Sequence, residues 1–155
     1  MALFPKAGFS FTETMAGTYT RAGVGGVEGE RAVSFTCTAR VGDLVSHLFD
    51  GRATLDGTVR MEGVATDRAL SGHMVIKPLA GFIRYQFDFA GDDGQRYHFA
   101  GQKELRVGDL LRTATTLPAT VTDEAGAEFA RCTVRFDVES DLLKLIASVR
   151  PKVSS

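Results

Sequence analysis

The stretch FIRYQFDFAGDDGQRYHFAGQKEL, residues 82–105, decides the fold. Two alternating runs flank the turn sequence Gly-Asp-Asp-Gly at 91–94. Apolar side chains at positions 83, 85, 87 and 89 share one face of the first run, and Tyr97 and Phe99 share one face of the second. A period of two with apolar side chains on one side predicts an antiparallel hairpin with one buried face. The segment therefore predicts an all-β protein.

Alternation of the same kind continues through most of the chain and predicts eight or nine short strands. The other predicted strands cover residues 9–19, 33–41, 52–63, 70–76, 110–116, 117–122 and 127–138, with a bend near Pro118. The period changes only in a short helical segment at 43–49 and in a helix at about 140–149, after which the tail 151–155 is expected to fray. The pattern predicts a single domain over 1–155. We favour an antiparallel barrel, a calycin- or lipocalin-like meander of about eight strands, and a two-sheet β-sandwich stays open.

Composition argues against several classes of function. A formal net charge of -1, without a basic run interleaved with aromatic residues, argues against nucleic-acid binding. The N-terminal segment does not have the pattern of a secretory signal, and no apolar stretch approaches the roughly 20 residues that cross a bilayer, so a cytoplasmic location is expected. Cys37 and Cys132 lie on apolar faces, which favours two buried thiols over a disulfide.

The chain contains none of the strong catalytic, metal-binding or nucleotide-binding motifs, so we assign no cofactor, no metal site and no catalytic residue. The glycine-rich segment 22–29 lacks the lysine and the following helix of a phosphate-binding loop and is read as a connection. His47, His73 and His98 are far apart in the sequence and are read as surface residues.

Two charged residues occupy positions where the alternation predicts apolar ones. Glu13 has the parity of Phe9, Phe11 and Met15, and Lys103 has the parity of Tyr97 and Phe99. An isolated buried charge costs several kcal/mol. Either strand ends or a bulge expose these side chains, or they form a buried pair or the polar end of an otherwise aromatic cavity.

Taken in order along the chain, several segments resemble a known family. The segments are FSFTETMAGTY (9–19), IRYQFDFAGDDGQRYHFAGQKEL (83–105) and TATTLPATV (113–121), with looser matches at 43–49, 55–59 and 141–150. They are similar to a small accessory domain found beside flavin-dependent oxidoreductases of the glucose–methanol–choline and cholesterol-oxidase-like group, and sometimes beside an α/β-hydrolase. The resemblance implies association with the metabolism of sterols and other lipids.

Three functions follow as hypotheses. The first is a non-catalytic binding module for a hydrophobic small molecule, a lipid or sterol, with Glu13, Tyr85, Phe87, Tyr97, Phe99 and Lys103 as the candidate ligand-binding residues. The second is a docking domain for a lipid-metabolising enzyme, or a homodimer. The third is a small enzyme in which Glu13, Lys103 or a histidine acts as acid or base.

Overall fold

The structure is a computed structural model that describes residues 9–23, 29–41, 51–77, 80–105 and 115–136. Its eight strands are β1 (Phe9–Arg21), β2 (Glu30–Val41), β3 (Gly51–Met61), β4 (Ala65–Lys77), β5 (Phe82–Ala90), β6 (Arg96–Glu104), β7 (Thr116–Asp123) and β8 (Glu128–Phe136). Neighbours in sequence pair antiparallel, and β1 also pairs with β8, so the sheet closes into a barrel. The predicted all-β antiparallel barrel is confirmed, and the described strands do not divide into the two sheets of the sandwich alternative.

The hairpin that decides the fold forms as the alternation predicts. Phe87 of β5 stands opposite Phe99 of β6 in a regular ladder that runs from Phe82–Glu104 to Ala90–Arg96. The turn is closed by hydrogen bonds from the Gly91 N–H to the Gln95 carbonyl, 2.8 Å, and from the Gly94 N–H to the Gly91 carbonyl, 3.0 Å. Gly94 has a φ of 85°, a conformation that a glycine adopts without the steric cost of a side chain.

The predicted bend near Pro118 is wrong within the described residues, whereas residues 110–114 of the preceding predicted strand lie outside them. Strand β7 runs through Pro118 without interruption, and it begins at Thr116 after a helical Thr115. Its ladder with β6 reaches only the pair Gly101–Ala119 within the described residues. Pro118 has no N–H to donate, so the strand tolerates the proline only where pairing on that side stops.

The two helices predicted at 43–49 and 140–149 lie outside the described residues, as does the tail 151–155. Among the residues described, no helix is long and apolar enough to cross a membrane.

The two ends of the barrel differ in the connections between their strands. At the end where β1 begins and β6 stops, here called the Glu13 end, the chain passes between strands through 42–50, 78–81 and 105–115. At the opposite end, here called the Arg21 end, three of the four connections are tight turns at 62–64, 91–95 and 124–127. The two longest connections, 42–50 and 105–115, therefore belong to the Glu13 end.

Candidate functional site

The middle of the barrel is filled by phenylalanine rings. Phe35 of β2 lies 5.2 Å from Phe87 and 5.2 Å from Phe99, both edge-on, and the rings of Phe87 and Phe99 stack at 4.4 Å between centroids. Since β2 stands across the barrel from β5 and β6, these contacts bridge the interior. Phe87 and Phe99, two of the candidate ligand-binding residues, therefore pack against each other and against Phe35 as core.

Tyr97, another candidate, lies toward the Arg21 end, away from Glu13. Its ring stacks on Phe89 at 5.5 Å and contacts Phe129 at 4.8 Å, and its hydroxyl donates to Gln95 Oε1 at 3.4 Å. The structure thus divides the six candidate residues into a packed middle, one ring near the Arg21 end, and a polar cluster formed by Glu13, Tyr85 and Lys103.

Within this polar cluster, Glu13 and Tyr85 meet across the barrel. Glu13 of β1 is 3% exposed, and the Tyr85 hydroxyl of β5 donates a hydrogen bond to its Oε2 at 2.9 Å. Burial raises the pKa of Tyr85 well above its usual value, and the neighbouring Glu13 and Cys37 raise it further. Tyr85 therefore stays protonated and acts as the donor to the carboxylate.

Lys103 completes the cluster from β6. It is fully buried, and its Nζ lies 5.0 Å from the centroid of the Tyr85 ring, within the range of a cation–π contact. Burial lowers the pKa of Lys103 to about 7, against the opposing attraction of Glu13 and Cys37. The amine is therefore near half-protonation at neutral pH.

The expectation that a bulge or a strand end exposes the two charges is wrong. Glu13 pairs with Cys37 and Lys103 pairs with Ile83 in regular stretches of ladder, so each side chain points inward with its neighbours. Both side chains are buried and Glu13 raises the pKa of Lys103, as the alternative of a buried pair requires. That they form the polar end of a ligand cavity stays a prediction.

Cys37 is the residue of this site that the sequence did not identify. It lies opposite Glu13 in the β1–β2 ladder, and burial, with Glu13 second, raises its pKa to about 12, while Lys103 has a lowering effect. Its inward parity was visible in the sequence, but its position opposite Glu13 requires the strand register. Cys37 and Cys132 are both free and buried, as predicted.

One seam in the barrel wall lies beside the polar cluster. Toward the Glu13 end, the β6–β7 ladder reaches no further than Gly101–Ala119, although Leu117 of β7 and Lys103 of β6 are both described. On its other side, Lys103 pairs with Ile83 in the regular β5–β6 ladder. Lys103 is thus held by strand pairing on one side of β6 only, among the residues described.

The histidines do not join the site. His98 lies on the outer face, with its Nδ1 2.8 Å from Asp88 Oδ1, and His73 is exposed on β4, while His47 lies outside the described residues. The described strands and turns contain no cluster of three or more His, Cys, Asp or Glu side chains that could hold a metal ion.

Comparisons of the chain with protein families, with curated proteins and with solved structures found no match. The site is therefore interpreted from its own geometry.

Proposed function

We propose that the protein is a non-catalytic binding module for a hydrophobic small molecule, a lipid or sterol, whose polar group is received by the cluster of Glu13, Tyr85 and Lys103. The observation that carries the proposal is the burial of a carboxylate and an amine inside a barrel whose other buried residues are apolar. Each buried ion costs several kcal/mol, and apolar replacements of such pairs are often as stable or more stable. Folding alone therefore does not account for these residues, whereas recognition of a polar group does.

The packed phenylalanine rings limit where such a ligand binds. Because Phe35, Phe87 and Phe99 occupy the middle, the apolar part of the ligand extends from the polar cluster toward the Glu13 end. Small inward side chains, Ala39 and Ala53, lie on that side of the interior. The ligand reaches the cluster by separation of the wall at the β6–β7 seam, where the strand pairing stops at Gly101–Ala119.

The link to lipid metabolism rests on the sequence resemblance to the accessory domain of lipid-oxidising and lipid-hydrolysing enzymes. The resemblance suggests the class of ligand. Sterols and fatty-acid derivatives combine a large apolar body with a single polar group, which suits a polar cluster beside an apolar interior.

Mass spectrometry of an organic extract of natively purified protein tests the proposal. We expect a small set of amphipathic lipids in the wild-type extract. The control variant Lys77→Met, which loses a lysine at the end of β4, should contain the same set. The set should be depleted in Lys103→Met. Equal lipid content in Lys103→Met and wild type, or none in wild type even after incubation with a lipid mixture, would contradict it.

A docking role is the second candidate, and an outer groove favours it. The groove has a volume of about 510 Å³ and lies on the outer wall across β1, β2 and the β3–β4 turn. Its lining includes Ala16, Ala32, Arg60 and Glu62. Sedimentation velocity of wild type and Ala32→Arg tests the homodimer version: a dimer lost in the variant supports it, and a monomer at high concentration argues against it.

A further inference from the structure

We propose that Lys103 holds its ligand covalently, as an imine formed with the carbonyl carbon of an aliphatic aldehyde or ketone. The inference rests on the proposed function, because the carbonyl compound must enter the barrel at the polar cluster. It deepens that function by naming the reactive group of the ligand, a carbonyl at the end of an apolar chain or on an apolar ring system.

The geometry supplies the parts that imine formation needs. Lys103 is fully buried, and its amine lies 5.0 Å from the centroid of the Tyr85 ring. The Tyr85 hydroxyl is a protonated donor bonded to Glu13 at 2.9 Å. Desolvation of an amine by burial is one of the arrangements that activate lysines toward carbonyl groups.

The protonation state of Lys103 agrees with this role. Its pKa of about 7 leaves roughly half of the amine neutral at pH 7, whereas an ordinary lysine with a pKa near 10.4 is neutral in only about one molecule in a few thousand. Only the neutral amine has the lone pair that attacks a carbonyl. Lys103 therefore carries roughly a thousandfold more of the reactive form than an exposed lysine does.

The step balances without an oxidant or a reductant. The neutral Nζ attacks the carbonyl carbon, a C–N bond forms, and the C=O π electrons move to the oxygen, which takes up a proton. Nitrogen loses a proton to give a neutral carbinolamine. The hydroxyl group then leaves as water after protonation, while the nitrogen lone pair forms the C=N bond, and the resulting iminium loses its N–H proton. The products are one imine and one water from one amine and one carbonyl, with the hydrogen-bonded pair of Glu13 and Tyr85 as the proton carrier of the proposal.

Reductive trapping with decanal tests the proposal. The protein is incubated at pH 7 with decanal and sodium cyanoborohydride, which reduces an imine to a stable secondary amine, and the modified residue is identified by peptide mass mapping. We expect the adduct at Lys103 to exceed that at Lys77 by at least tenfold, since Lys77 is only half-buried on β4. Lys77→Met should keep the Lys103 adduct. Lys103→Met and Lys103→Arg should lose it, with their folding checked by circular dichroism.

Equal labelling of Lys103 and Lys77, or no label at Lys103, overturns the proposal. Decanol separates that failure from a failure of the proposed function, because it has the same chain without a carbonyl. If decanol displaces an apolar fluorescent probe from the protein but decanal leaves Lys103 unmodified, the imine is wrong and the binding function stands. If decanol and decanal both fail to displace the probe and Lys103 is unmodified, the imine and this class of ligand are both wrong.

Discussion

The phenylalanine cluster in the middle of the barrel and the polar cluster near the Glu13 end are both buried, yet burial has opposite effects on their contributions to stability. Phe35, Phe87 and Phe99 leave water without a polar atom among their side chains and gain contacts across the interior. Glu13 and Lys103 leave water at a cost that their mutual attraction only partly repays. The first cluster therefore stabilises the barrel, whereas burial of the two charges costs stability, as the proposed binding site predicts.

The largest expected effect tests the stabilising role of the phenylalanine cluster. Phe87→Ala removes the ring that stacks on Phe99 and contacts Phe35, and truncation of a buried phenylalanine costs about 4 kcal/mol. Urea denaturation should show this loss in the free energy of unfolding at an unchanged slope. Gln86→Ala, the exposed neighbour on the same strand, is the control and should change it by less than about 0.5 kcal/mol. A loss below about 1 kcal/mol in Phe87→Ala would mean that the ring does not fill the middle of the barrel.

The second expected effect separates the cost of burying Glu13 and Lys103 from the attraction between the two side chains. Glu13→Leu leaves the Lys103 amine buried without its carboxylate and should lower the free energy of unfolding by about 3 kcal/mol. Glu13→Leu with Lys103→Met removes both charges, so the double variant should recover most of that loss, less about 1 kcal/mol for the Tyr85 hydroxyl, which no longer has Glu13 as its acceptor. Additive losses in the double variant would show that the two residues stabilise the barrel independently.

The third effect is a dependence of stability on pH. The pKa of Lys103 is about 7 in the folded protein and 10.5 for a free lysine, so the unfolded chain binds more protons between these values. The free energy of unfolding should therefore rise with pH above 7, by up to about 1.4 kcal/mol per pH unit. Above pH 9 the raised pKa values of Cys37 and Cys132 act in the opposite direction, because the folded protein then retains protons that the unfolded chain loses.

Urea denaturation between pH 7 and 8 measures this dependence in a window in which the cysteines, with an ordinary pKa of 9.0, stay mostly protonated in both states. The double variant with Glu13→Leu and Lys103→Met lacks both coupled groups and is the control, so its stability should change little across the window. Parallel curves for wild type and the double variant would contradict the low pKa of Lys103.

The smallest expected effect concerns the outer wall beside the polar cluster. Thr38 lies next to Cys37 in β2 but faces outward, where its hydroxyl is 2.9 Å from that of Thr12. Thr38→Ala removes one solvent-exposed hydrogen bond and should change the free energy of unfolding by less than about 1 kcal/mol. Displacement of the fluorescent probe by decanol should be the same in Thr38→Ala as in wild type. A large loss of binding would place the ligand on the outer wall rather than inside.

Much of the fold was predictable, because inward and outward residues of an antiparallel strand alternate along the sequence. The hairpin at 82–105 shows this, as do the inward positions of Cys37 and Lys103. The alternation could not show that β7 passes through Pro118, since the tolerance of a proline depends on where the neighbouring ladder ends.

Which inward-facing residues meet at the site was less predictable than which residues face inward. Glu13, Tyr85 and Lys103 come from three strands that are far apart in the sequence, and only closure of the barrel brings β1 opposite β5. Whether Phe87 and Phe99 line a cavity or pack together also depends on Phe35, which reaches them from β2. An eight-stranded barrel permits either outcome, so side-chain alternation alone could not decide between them.

Ligand binding by the double variant with Glu13→Leu and Lys103→Met tests most directly the claim that the polar cluster is maintained for binding. Displacement of an apolar fluorescent probe by decanol and by oleic acid would be measured on wild type and on the double variant, with unfolding curves for both. We predict that wild type binds and that the double variant binds at least tenfold more weakly while its free energy of unfolding stays within about 2 kcal/mol of wild type. Equal affinity in the two proteins, or no binding by wild type, would contradict the claim.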